Sequence, residues 1–209
     1  MSDGMHLGAL VLAAGMAKRM GTSKQLLPFR DRTLIENTVE SVMRGGEEQV
    51  VVVTGCYAED VESVLRKAYG NRVILARNAD YETTDMMHSI QLGLAAMPGC
   101  DAFYLIPGDM PAVEEGTFQK LIAVYRKYCS GERPVVVFPT YEGRRNHPPL
   151  ISSDLIPVIT GYSGDGGLRQ FWRDCDACMI EVPVDDPGVW TDVDTPEDYR
   201  RLVERSAGQ

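Results

Sequence analysis

A chain of 209 residues, 44% of them hydrophobic and with a formal net charge of −9, is sized for a single α/β domain over residues 1–209 with a substantial buried core. Its acidity argues against broad attraction to nucleic acid or to an anionic membrane surface, so any site for an anionic ligand must be a local cationic pocket. The apolar segment 7–14 is too short to span a bilayer, and no cationic leader or small-residue cleavage site stands before it. A soluble cytoplasmic protein, with neither nucleic acid nor membrane as partner, is the expectation.

Along the chain, strand-like apolar runs occur at 7–13, 49–54, 72–76, 102–107, 134–138 and 179–182. Several are nearly continuous in Val, Ile and Leu, as strands buried on both faces are. Helical patterns separate them. Thr33-Leu34-Ile35-Glu36 forms a capping box, the helix it starts runs to about residue 44, and Gly45-Gly46 end it. Further helices are predicted at 59–69, 84–96, 114–128 and 195–204. The alternation predicts an α/β fold of three layers, a mostly parallel sheet with helices on both faces, Rossmann-like. Residues 141–167 are the least regular and read as loops and short elements over the site.

The first strand runs into Leu12-Ala13-Ala14-Gly15-Met16-Ala17-Lys18-Arg19-Met20-Gly21, with Lys24 close behind. Gly15 and Gly21 allow a tight turn and close approach of a ligand. Backbone N–H groups of such a loop suit phosphate oxygens, and Arg19 and Lys24 add positive charge. The spacing fits neither a Walker A loop nor G-x-G-x-x-G. A plain strand-to-helix turn with solvated charges would also produce the glycine and alanine part, but not the Arg, Met-Gly and Lys at their offsets.

Ligands of such sheets bind outside the carboxyl ends of the strands. The strand 102–107 ends in Gly108-Asp109-Met110-Pro111, which leaves Asp109 at the rim as a hard oxygen ligand suited to Mg²⁺ or as an ordinary turn aspartate. Nearer the C-terminus, Trp190-Thr191-Asp192-Val193-Asp194-Thr195-Pro196-Glu197-Asp198 contains a normal helix start from Thr195 onward. The cap does not account for Asp192 and Asp194. One of them, with Asp194 favoured, could complete a metal site with Asp109. Five cysteines are scattered along the chain. Cys175-Asp176-Ala177-Cys178 has the C-x-x-C form, yet no second pair follows, and a strand opening at Cys178 after a loop at Cys175 explains it better than zinc or redox chemistry.

Taken together, Leu12-Ala13-Ala14-Gly15, Arg19-Met20-Gly21, Lys24, Asn78, Met87 to Ser89, Gly108-Asp109-Met110-Pro111 and Asp194-Thr195-Pro196-Glu197-Asp198 resemble the nucleotidyltransferase family of the molybdenum cofactor cytidylyltransferases and guanylyltransferases. Arg144-Arg145-Asn146-His147-Pro148 and Gly164-Asp165-Gly166-Gly167-Leu168-Arg169 resemble segments of the cytidylyl branch. Ala14 also fits that branch, whose loop reads L-A-A-G where the guanylyl branch reads L-A-G-G. Asn146 in place of glycine, and Met87-His88-Ser89-Ile90 in place of a more serine-rich helix start, depart from the pattern; His88 there is a ligand contact or a structural histidine.

The resemblance implies transfer of CMP from CTP to a phosphorylated acceptor such as molybdopterin, with release of pyrophosphate. It implies Mg²⁺ on Asp109 and Asp194, with Arg19, Lys24 and Asp109 as catalytic residues. It implies a nucleotide site at Leu12, Ala13, Ala14, Gly15, Lys24, Gly55, Asn78, Ser89 and Asp109, acceptor contacts at His147 and Arg169, and transient contact with a molybdoenzyme. Alternatives are GTP with the same pterin, CTP with a phosphorylated alcohol or sugar, a non-catalytic cofactor-binding accessory protein, and a zinc or redox protein built on Cys175 and Cys178.

Overall fold

The computed structural model describes residues 4–16, 23–46 and 49–207. In chain order its elements are β1 (Leu7–Ala13), β2 (Pro28–Phe29), β3 (Arg32–Thr33), α1 (Leu34–Arg44), β4 (Gln49–Thr54), α2 (Ala58–Tyr69), β5 (Val73–Arg77), α3 (Met86–Ala95), β6 (Ala102–Pro107), α4 (Glu115–Tyr128), β7 (Val135–Tyr141), β8 (Arg144–Arg145), β9 (Leu150–Ser152), α5 (Ile156–Thr160), α6 (Gly167–Asp174), β10 (Cys178–Pro183) and α7 (Pro196–Ala207). Each run predicted as a strand forms one, with ends displaced by up to three residues at β5, β7 and β10. Among the described residues, no helix is long and apolar enough to cross a membrane.

The main sheet has the order β10-β7-β9-β6-β1-β4-β5, with β8 paired to β7. β1 runs parallel to both β4 and β6, and β4 to β5. β8 pairs antiparallel with β7 at the side of the sheet, and the antiparallel strand within its main order is β9, which pairs with both β6 and β7. It lies in the segment read from sequence as irregular. Three residues are too few to display a period, although Leu150 and Ile151 are fully buried.

Alternate residues of β1 and β4 face opposite layers, as the strand period requires. Ala9, Val11, Val50 and Val52 pack with Ile35 and Val39 of α1, Leu65 of α2 and Phe118 of α4. Leu10, Val51 and Val53 pack on the other face with Ile90 of α3, Ile159 of α5 and Phe171 of α6. Both faces being covered explains why these strands read as unbroken apolar runs. The predicted capping box of α1 is present in full: Thr33 Oγ1 accepts from the Glu36 N–H while the Thr33 N–H donates to Glu36 Oε2.

Register fixes where a ligand can meet the sheet. Leu12 stands opposite both Val53 and Pro107, so the loops after β1, β4 and β6 emerge at one edge. They are tied together there, since the Gly108 N–H donates to Leu12 O at 2.8 Å and the Cys56 N–H to Ala14 O at 3.4 Å. α3 is drawn close beneath this edge by Gly93, where an added Cβ would lie 2.2 Å from Leu10 Cδ1 and 2.6 Å from Val53 Cγ2. Gly93→Val over-packs this contact and should cost about 1–3 kcal/mol, read as a fall in melting temperature of about 2–4 °C per kcal/mol by calorimetry.

Candidate active site

Lys24 sits in a short helical turn, Lys24–Leu26, between the β1 loop and the β2–β3 hairpin. Its Nζ donates to Asp109 Oδ2 at 2.5 Å and to Asp194 Oδ1 at 3.0 Å. These two aspartates arrive by different routes. Asp109 follows β6, and its Oδ2 also accepts the Val193 N–H at 3.3 Å; the side chain is only 7% exposed. Asp194 stands directly before α7, whose start is pinned by hydrogen bonds in both directions between Thr195 and Asp198. Val193 is buried against Phe29, Leu34 and Leu202, which anchors the chain that carries Asp194. Its side chain is half exposed at the mouth of the site.

Burial alone would lower the affinity of Lys24 for its proton, but the charges and hydrogen bonds of Asp109 and Asp194 more than offset that and hold its pKa above the ordinary 10.5. Lys24 is therefore a fixed cation. Asp192 has the opposite problem. Burial first, and then the nearby charges of Asp109 and Asp194, push its carboxyl above the usual range. One lysine thus stands among three aspartates, Asp109, Asp192 and Asp194.

These groups open into a cavity of about 440 Å³. Leu12, Ala14, Gly15, Lys24, Ser89, Asp109 and Asp194, all singled out from the sequence, line it together. So do Met16, Gln25, Tyr81, Thr84, Asp85, Met86, Pro107 and Asp192, of which the sequence reading raised only Asp192 as a candidate. The segment 81–86 carries no motif of its own; its position on the wall follows from β5 lying beyond β4 in the sheet.

Other sequence candidates fall elsewhere. Arg19 lies outside the described residues. Ala13 is fully buried within the sheet. Gly55 and Asn78 border a neighbouring cavity and stand behind the wall of this one. A Cβ at Gly55 would lie 2.8 Å from Ala14 O and 2.9 Å from Tyr81 Cβ, so glycine lets the two sides of the wall meet. Buried Asn78 donates from Nδ2 to Ser89 Oγ and Thr84 Oγ1, each at 3.0 Å, and accepts the Asp80 N–H on Oδ1. It is the tie that holds Ser89 and Thr84 in place. His88 does not line the cavity; its N–H donates to the N-cap carboxylate of Asp85.

His147 and Arg169 line a separate cavity of about 500 Å³ with Arg145, Trp172 and Arg173. His147 Nδ1 lies 3.3 Å from Leu105 O; a carbonyl only accepts, so this nitrogen carries the proton. Burial lowers the pKa of the ring, partly opposed by that hydrogen bond and by the charge of Asp109. Cys178 opens β10, and Cys175 lies in the loop before it; both are free thiols.

A mostly parallel sheet whose carboxyl edge carries a small-residue loop, a fixed lysine and facing aspartates has the build of a nucleotidyltransferase-type α/β protein. Residues 9–178 match the MobA-like NTP transferase domain, and the chain belongs to that family. Among curated relatives, it is 32% identical to nicotine blue oxidoreductase of Paenarthrobacter nicotinovorans, over 93% of this chain and 95% of that one. It is 23% identical to molybdenum cofactor cytidylyltransferase of Escherichia coli (strain K12), over 95% and 96%. A solved manganese complex of Rv0371C from Mycobacterium tuberculosis H37Rv superposes with a TM-score of 0.72 at 25% identity, over 96% of this chain and 98% of that one.

Asn78→Ala removes the tie between Ser89 and Thr84 and should cost about 1–3 kcal/mol. Hydrogen exchange should quicken across residues 80–89 while the far side of the sheet, β7 and β10, is unchanged.

Proposed function

We propose that the whole chain, residues 1–209, acts as one nucleotidyltransferase domain that moves CMP from CTP to a phosphorylated acceptor, most readily molybdopterin, with release of pyrophosphate. The observation that carries this reading is the convergence of Lys24, Asp109 and Asp194 at the mouth of a cavity walled by Leu12, Ala14 and Gly15. Ala14 at that wall, where the guanylyl branch has glycine, favours the smaller base. The relative named as a molybdenum cofactor cytidylyltransferase supports both the nucleotide and the acceptor.

The acceptor's terminal phosphate oxygen attacks the α-phosphorus of CTP. The new P–O bond forms as the bond to the β-phosphate oxygen breaks, and pyrophosphate carries away the electron pair. The attacking oxygen is already anionic, so the task is alignment and charge cancellation. Lys24, with Arg19, neutralises charge moving onto the leaving group. Leu12, Ala13, Ala14 and Gly15 hold the nucleotide, supported from behind by Gly55 and Asn78, with Ser89 on the wall. His147 and Arg169, in the separate second cavity, face the acceptor.

The residues present suit a magnesium ion. Asp109 Oδ2 and Asp194 Oδ1 converge on Lys24 Nζ, at 2.5 and 3.0 Å, and buried Asp109 Oδ1 receives no hydrogen bond among the described residues. Hard oxygens of this kind are what Mg²⁺ takes, in company with substrate phosphates. The neighbour solved with manganese supports a divalent ion here. When bound, the ion screens phosphate charge. With a triphosphate in the cavity, Lys24 Nζ exchanges the carboxylates for the phosphate oxygens.

An oxidoreductase is the second reading, favoured by the 32% identity to nicotine blue oxidoreductase. Against it stand the absence of a G-x-G-x-x-G fingerprint and a charged centre suited to polyphosphate.

Mg²⁺-dependent pyrophosphate release should occur with CTP in the presence of molybdopterin, and not with GTP, ATP or UTP. No release with any nucleotide, with turnover of a redox substrate instead, establishes the second reading. Asp109→Ala should lower the rate by a factor on the order of 10³, the loss of several kcal/mol of charge stabilisation. Lys24→Met should tighten Mn²⁺ binding in the absence of nucleotide by about tenfold or more, because it leaves Asp109 without its internal counter-charge; titration followed by electron paramagnetic resonance reads this directly.

A further inference from the structure

Beside Lys24, in the same turn, stands a buried polar group for which the nucleotidyl-transfer steps assigned above have no use. Gln25 is 2% exposed and lines the 440 Å³ cavity. Its Oε1 accepts a hydrogen bond from Ser23 Oγ at 3.3 Å, and Ser23 is itself buried. Its Nε2 donates to no described residue. Burying an amide without a partner costs roughly 1–3 kcal/mol, and buried side-chain polar atoms are nearly always satisfied. A donor on a residue that lines a cavity and is held at its other end by a serine is arranged for an acceptor atom that comes with the ligand.

The order of the sheet says which part of a ligand that is. The cavity extends along the carboxyl edge from β6, past β1 and β4, to the loop after β5. At the β6 end are Asp109 and, bonded to it, Lys24. At the β5 end are Tyr81 and Met86, which offer an aromatic ring and an apolar chain suited to a base. Gln25 belongs to the turn of Lys24 and therefore to the charged end. A neutral amide donor beside a lysine adds a directional hydrogen bond where the lysine supplies charge, a combination that fits an anionic oxygen.

We infer that Gln25 is a phosphate-binding residue, its Nε2 donating to an oxygen of the triphosphate with Ser23 fixing its orientation. This deepens the nucleotidyl-transfer reading and rests on it for the identity of the triphosphate, not for the existence of the anion site.

The test replaces Gln25 with Leu, and in parallel with Met and Glu, which keep its length. Binding of CTP and of inorganic tripolyphosphate is measured calorimetrically with Mg²⁺, alongside the melting temperature without ligand. Gln25→Leu and Gln25→Met should weaken both ligands by about 10- to 100-fold, the range for a hydrogen bond to a charged group. Gln25→Glu should weaken them further by repulsion. The ligand-free melting temperature of the Leu and Met variants should not fall, because an unsatisfied amide is replaced by an apolar group of similar size. Ser23→Ala should weaken both ligands in the same direction and by less.

Unchanged affinities with a lower melting temperature overturn the proposal in favour of a purely structural glutamine. Weaker CTP binding with tripolyphosphate unaffected also overturns it, by moving the contact to ribose or base. Wild-type protein that binds tripolyphosphate through Gln25 but no nucleoside triphosphate upholds the anion site and rejects the proposed function. Wild-type protein that binds neither rejects both.

Discussion

Lys24 is held at once by Asp109, at the end of a central strand, and by Asp194, at the start of the last helix. Through it, three distant stretches of chain meet at one point: the turn before the hairpin, the loop after β6 and the segment before α7. Each carries its own anchor. The turn is tied to α1 through the Leu34 N–H donating to Leu27 O, Asp109 is tied to Val193 by its hydrogen bond, and Val193 is buried with Leu202 of α7. A buried cation needs such fixed counter-charges, since the desolvation of an unpaired ammonium would shift it toward the neutral form.

The same interaction divides the cavity into unlike ends. Around Lys24 the wall is charged and hydrogen-bonding. Toward β5 it becomes mixed, with Tyr81, Thr84 and Met86 held in place partly by Asn78. A ligand with a dense anionic portion and a flat, less polar portion matches that gradient. The close approaches at Gly55 and Gly93 set its depth, one by letting the Ala14 loop touch the Tyr81 side, the other by letting α3 lie against β1 and β4. Both glycines decide where the groups lining the cavity stand.

The second cavity, with His147, Arg145, Arg169 and Arg173, depends on β9. By running antiparallel between β6 and β7, this three-residue strand brings the chain that precedes it, 146–149, back along the sheet toward the Asp109 end. His147 is close enough to feel the charge of Asp109. The two cavities thus stand at one edge of one sheet.

Local sequence determined a good deal on its own. Continuous Val, Ile and Leu runs identified the strands buried on both faces, the Thr33–Glu36 box marked the start of α1, and Lys24, Asp109 and Asp194 stood out because their residue types at those positions suit phosphate and metal. These signals are legible because each depends on neighbours within a few residues. What only the tertiary structure decided depends on partners far away in the chain. β9 is too short to show a period and exists because β6 and β7 flank it. Asn78 and Gly55, read from sequence as ligand contacts, stand behind the wall because Ser89, Thr84, Ala14 and Tyr81 converge on them. Gln25 looks like any polar residue after a lysine until the fold buries it, satisfies one end with Ser23 and sets the residue on the cavity wall. Burial and hydrogen-bond satisfaction are properties of the packed chain, so no local pattern could announce them.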